Sequence, residues 1–114
     1  LLMTASAYPP AASEPEEQVL AVDQIAGLWA LTSVGGGGQC QLALANLVID
    51  GVRPVRAENC NLPIAARARS WRATQSGFVL LAPDDTIVMA FRQRGEDAFE
   101  EVDGRYRLTR APLS

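Results

Sequence analysis

Gly27-Leu28-Trp29-Ala30-Leu31-Thr32-Ser33, then Gly35-Gly36-Gly37-Gly38, then Gln39-Cys40-Gln41-Leu42-Ala43-Leu44, is the stretch in which the apolar pattern takes on a period of two. Trp29, Leu31 and Ser33 alternate with Leu28, Ala30 and Thr32, and Cys40, Leu42 and Leu44 alternate with Gln39, Gln41 and Ala43. A strand sends successive side chains to opposite faces, so both segments read as half-buried strands. The four glycines between them read as a flexible hairpin loop. No Lys-Ser/Thr pair and no helical pattern comes after them, as a phosphate-binding loop would require.

Upstream, Val19, Leu20, Val22, Ile25 and Ala26 fit a short helical turn that stops at Gly27. Downstream, strand-like runs cover residues 51–56, 68–73, 78–81, 87–93, 98–102 and 105–109. Asp50-Gly51, Ser76-Gly77, Pro83-Asp84-Asp85, Gly95-Glu96-Asp97 and Asp103-Gly104 supply turns between them. Eight short strands joined mostly by hairpin-length turns predict an all-β fold, a small eight-stranded antiparallel up-and-down β-barrel preceded by a short N-terminal helix and an extended tether. Closure removes the unpaired edges that invite aggregation. A small open sandwich uses the same strands and remains the alternative at this level. Trp29, Leu31, Leu42, Leu44, Phe78, Leu80, Val88, Ala90 and Tyr106 are the residues expected to fill a barrel interior.

A chain of 114 residues holds one domain with one core, and it contains two cysteines, Cys40 and Cys60. A disulfide between them closes a loop of about 20 residues, worth roughly 3 kcal/mol in the chain-entropy model, and implies an oxidising compartment. The competing reading is a pair of reduced, buried thiols in a cytosolic protein. There is no His and no Lys, so all ten basic residues are Arg. That removes Ser–His and Cys–His pairs, Schiff-base chemistry and imidazole ligands for zinc, and the acids lie in turns and strand ends without an evident pair. The composition therefore speaks against an enzyme, and neither a cofactor nor a metal of its own is expected.

The net charge of −3 is unevenly spread. Residues 53–72 carry five arginines against Glu58, and residues 84–103 carry seven acids against Arg92 and Arg94. The acidic balance and low aromatic content argue against nucleic acid as a partner. Arg67, Arg69 and Trp71 fall on one face of a predicted strand, a candidate cation–π interface. Trp29 and Trp71 otherwise read as core or barrel-end packing.

The first residues differ from the rest. Leu1-Leu2-Met3-Thr4-Ala5-Ser6-Ala7 reads like the end of a secretory signal with cleavage after Ala7. The segment from Tyr8 to Gln18, with Pro9-Pro10, Pro15 and three glutamates, has the composition of a solvated tether. The expected division is 1–18, signal remnant and tether, and 19–114, barrel domain. No run of about 18 apolar residues suited to a membrane span occurs.

The order of Gly27-Leu28-Trp29, Cys40, Cys60, Trp71, Gly77-Phe78 and Gly104-Arg105-Tyr106 resembles the bacterial inhibitors of serralysin-type zinc metalloproteases. The resemblance covers roughly residues 19–111. It implies a monomeric periplasmic or secreted barrel, a Cys40–Cys60 disulfide, and a trunk ahead of the helix that enters the protease cleft and brings its terminal amine to the catalytic zinc. Counting back from Leu20, the trunk corresponds to Pro15, Glu16, Glu17, Gln18 and Val19, although the chain continues upstream of Pro15 and the glutamates differ from the small and apolar residues usual there. Similar barrels also end bacterial outer-membrane lipoproteins. That alternative makes the chain a surface interaction domain without inhibitory activity, and it needs a lipidated cysteine upstream of Leu1.

Overall fold

The computed structural model of the protein describes residues 20–111. The signal-like segment, the tether and the five trunk residues, Pro15 to Val19, lie outside the described residues. The chain opens with α1 (Val22–Ile25) and continues through β1 (Gly27–Ser33), β2 (Gln39–Leu44) and β3 (Arg53–Glu58). A second short helix, α2 (Pro63–Ala66), precedes β4 (Ser70–Ala73), β5 (Gly77–Leu81), β6 (Ile87–Gly95), β7 (Ala98–Glu101) and β8 (Tyr106–Arg110). Each strand pairs antiparallel with the next, and β1 pairs with β8, so the sheet is a closed barrel rather than a sandwich. No helix among the described residues is long and apolar enough to cross a membrane.

The period of two in the sequence becomes the inside and outside of this barrel. Trp29 lies opposite Leu42 and Leu31 opposite Cys40, and all four are buried. Opposed residues share a face, so the two strands present a continuous apolar surface inward. Farther round, Phe78 stacks on Phe91 with ring centroids 4.9 Å apart. Phe99 meets Phe78 edge-on at 5.1 Å and Trp29 at 5.2 Å. Trp71 meets Phe78 edge-on at 6.2 Å. Five aromatic rings in edge and offset contact fill the interior, so the barrel is packed through rather than hollow like a ligand carrier.

Of the residues expected inside, Trp29, Leu31, Leu42, Leu44, Phe78 and Leu80 are buried in the core. Val88 is half-buried and packs against that core, and Ala90 is not part of it; in β6 the fully buried positions are Met89 and Phe91. The reason is a β-bulge. Leu80 faces Met89 but Leu81 faces Ile87, which leaves Val88 as the extra residue and reverses the inward–outward phase of the strand beyond it. Tyr106 is on the inward face with Leu108 but is only half-buried at the barrel end, with the Arg105 guanidinium 5.9 Å from its ring centroid. Gly77 is held by space, since a Cβ there would run into the Phe91 carbonyl of the neighbouring strand.

Glu101 is the buried charge of the barrel. It ends β7 facing inward, accepts a hydrogen bond from the Arg105 amide at 3.3 Å, and lies 3.6 Å from the Arg105 guanidinium. A buried carboxylate is tolerated when it is paired and hydrogen-bonded in this way.

Cys40 and Cys60 form a disulfide across 20 residues, joining the start of β2 to the segment beyond β3. That segment carries α2 and leaves β3 and β4 sharing only two residue pairs, Arg53 with Trp71 and Pro54 with Ser70, the shortest ladder in the barrel. Reduction of the disulfide should therefore lower stability by about 3 kcal/mol, a fall in Tm on the order of 10–20 °C for a domain of this size. Differential scanning calorimetry with and without reductant, and on Cys40→Ala/Cys60→Ala, measures it.

Candidate functional site

Strand directions define two poles. At one lie α1, the β2–β3 hairpin, the β4–β5 turn and the β6–β7 turn. At the other lie the glycine loop, α2, the β5–β6 turn and the β7–β8 turn. The chain enters at the first pole, where the Leu20 amide donates to the Thr74 carbonyl of the β4–β5 turn at 3.1 Å. Whatever precedes Leu20 is therefore attached here.

A helix of one turn has little stability of its own, and the barrel supplies what α1 lacks. The Trp29 indole N–H donates to the Ile25 carbonyl at 2.7 Å in a buried position. Arg110, on β8, donates from Nη2 to the Gln24 carbonyl at 3.0 Å and from Nη1 to the Ala26 carbonyl at 2.9 Å. Three successive carbonyls at the end of α1 are thus satisfied by two side chains of the barrel. A cation at a helix C-terminus is also favoured by the local dipole.

The same guanidinium lies over the Trp29 ring, 4.0 Å from its centroid, and its Nε is 3.4 Å from the Asp97 carboxylate on the β6–β7 turn. Arg110 therefore fastens α1, β1, β8 and the β6–β7 turn at one point. Gly27, at φ +127°, makes room for this, because a Cβ would stand 2.7 Å from Arg110 Nη1. The helix stops as expected at Gly27: its cap is Ala26, whose amide donates to the Val22 carbonyl at 2.8 Å, and the positive-φ glycine follows directly. On the other flank the Asn46 side-chain Nδ2 donates to the Asp23 carboxylate of α1 at 2.9 Å.

Arg67 and Arg69 do not join this site. Both precede β4, at the opposite pole, and they share no strand face with Trp71. Trp71 is 2% exposed, with its indole N–H donating to the Ala45 carbonyl at 2.9 Å, so it is core rather than an interface ring. Arg69 spends its Nη1 on the Ala66 and Ala68 carbonyls, closing the end of α2. Nearby, the Thr86 hydroxyl and amide donate to the Asp84 carboxylate and, with some help from Arg67, hold it below the ordinary aspartate value.

The sequence alone does not disclose the role of Arg110. Its one signal is position: it is the residue just after the final strand-like run, and its partners are backbone carbonyls that no side-chain pattern reveals. Among the described residues no group of three or more His, Cys, Asp or Glu side chains is arranged to hold a metal.

Comparison with known proteins agrees with this architecture. No curated protein matched the sequence. Among solved structures, the crystal structure of a psychrophilic marine protease MP inhibitor superposes with a TM-score of 0.60 at 18% identity, covering 81% of this chain and 100% of that one. At that identity the likeness speaks for the fold. The profile of the protease inhibitor Inh family matches residues 19–110, nearly the whole described barrel together with its entering helix. An eight-stranded barrel with a helix pinned at the pole where the chain enters, matched over that length, belongs to the Inh family of protease inhibitors, and the protein is an inhibitor rather than an enzyme.

Proposed function

We propose that the protein inhibits a secreted zinc metalloprotease of the serralysin type by inserting the segment ahead of Leu20 into the active-site cleft. The observation that carries this reading is the fastening of α1 by Trp29 and Arg110, which fixes the root of that segment on a rigid barrel. Holding the root in place lowers the entropy lost when an extended peptide enters a groove. Residues 15–19 are the segment closest to the root, and the oxidising compartment implied by the disulfide is one that a secreted protease shares.

The chemistry needs nothing from the barrel interior. A chain terminus in the cleft forms main-chain hydrogen bonds along the substrate groove, and its neutral α-amine displaces the zinc-bound water that the protease uses as nucleophile. For an amine to reach the zinc from residue 15, upstream residues have to be removed. The mature terminus is then set by processing.

Three outcomes are expected in titrations against a serralysin-type protease. Removing residues 1–18 should weaken inhibition by at least about 100-fold, the loss of a few kcal/mol of cleft contacts, with Tm unchanged. Arg110→Met should weaken inhibition by about tenfold, because it removes two charge-assisted hydrogen bonds at the root, each worth about 1.5–3 kcal/mol, with part of that loss appearing as a lower Tm. Amine ligation requires the unprotonated form, so inhibition should strengthen as pH rises through about 7.7–8.0 and weaken below it, and N-terminal acetylation should abolish both the inhibition and its pH dependence.

A further inference from the structure

We propose that the β2–β3 hairpin is a second docking element of the inhibitor, an apolar finger that lies against the rim of the protease cleft while the N-terminal segment occupies the cleft itself. The proposal rests on the inhibition of a protease through that segment. Its observation is a cluster of exposed aliphatic side chains: Leu47 is 59% exposed, Val48 54%, Ile49 51% and Val52 41%. Single exposed aliphatics are ordinary, but four within six residues on one hairpin are a contiguous surface, the kind that marks interaction sites. The other large exposed hydrophobics among the described residues, Val34, Ile87 and Val102, come from three different segments.

The finger is built rather than loose. Ile49 and Val52 exchange backbone hydrogen bonds at 2.7 and 3.1 Å around Asp50 and Gly51, whose φ values of 54° and 86° are those of a tight two-residue hairpin turn. At its base the Arg53 Nε donates to the Asn46 carbonyl at 2.9 Å, and the Asn46 side chain donates to Asp23 of α1. A preordered apolar tip loses little entropy on docking. Between Asn46 and Arg53 the only charged side chain is Asp50, so the surface it fits is apolar.

The protease is the occupant because of where the chain enters. The finger is fastened to the helix from which the N-terminal segment departs, and five fully extended residues, 15–19, reach at most about 18 Å. A partner whose cleft takes those residues cannot stand off from this pole. The apolar outer surface continues below the finger through Leu28, Ala43, Ala45 and Pro54, which line one shallow groove.

The test is to titrate Val48→Asp/Ile49→Asp, the control Val34→Asp on the glycine loop, and the chain lacking residues 1–18 against a serralysin-type protease. Binding to the active-site-blocked enzyme is tracked by biolayer interferometry, and self-association by sedimentation. The expected result is inhibition weakened by about 10- to 100-fold in the hairpin variant with Tm and monomeric state unchanged, and no effect in Val34→Asp. Residual binding of the truncated chain to the blocked protease, lost when the hairpin is also changed, supports the finger as an independent contact. If truncation leaves inhibition intact while the hairpin variant loses it, the cleft mechanism fails and the finger stands. Unchanged inhibition in the hairpin variant overturns the finger alone. A wild-type dimer that the hairpin substitutions dissociate without altering inhibition also overturns it, and assigns the surface to a second copy. No binding by the wild-type chain overturns both readings.

Discussion

The Arg110 guanidinium is where the closed sheet and the entering chain are made into one body. Closure by β1 and β8 brings the last strand beside the first, and only then can a residue near the C-terminus reach the carbonyls of Gln24 and Ala26, more than 80 positions earlier. The Trp29 ring beneath it is held in turn by its bond to Ile25 and by its edge contact with Phe99. The helix, the barrel end and the interior aromatics are therefore coupled through two side chains. A single turn of helix becomes a fixed mount because the closed barrel supplies the contacts it lacks on its own.

Much of this fold was legible because an antiparallel barrel writes itself as alternation and turns. The first two strands could be read residue by residue, since their inward and outward positions differ plainly in polarity. β6 could not. Ile87, Val88, Met89, Ala90 and Phe91 are all apolar, so their order does not give the phase, and the bulge that sets it is a property of pairing with β5. The short helix α2 escaped for a related reason. Its four residues, Pro63–Ala66, are too few to show a helical period, and Arg67 to Arg69 beyond it continue the alternation of β4 and so imitate a longer strand.

The candidate site was indicated by resemblance alone, and its parts were opaque in the sequence. The family resemblance points to the chain ahead of Leu20, and the structure adds how the helix that follows it is held. The arginine cluster of residues 53–72 drew attention for its charge, yet its members have separate lives. Arg53 braces a hairpin, Arg69 closes a helix, and Arg56 lies 3.4 Å from Glu58 in an exposed pair of little energetic weight. A run of like charge in sequence is no guide to a shared surface when a strand, a loop, a helix and a second strand divide it.

The covalent and non-covalent constraints of this molecule sit at opposite poles. The Cys40–Cys60 bridge secures the end with the glycine loop and α2, whereas the end that receives the chain is held without a covalent link, by hydrogen bonds, the Arg110–Asp97 ion pair, a ring–cation contact, the packing of Ile25 and a hairpin turn. Sequence change at the end that receives the chain thus leaves the staple untouched, and the staple keeps the barrel closed while that end varies. Such a division of labour suits a scaffold that has to keep pace with a changing target: its fingertips can be rewritten without reopening its fold.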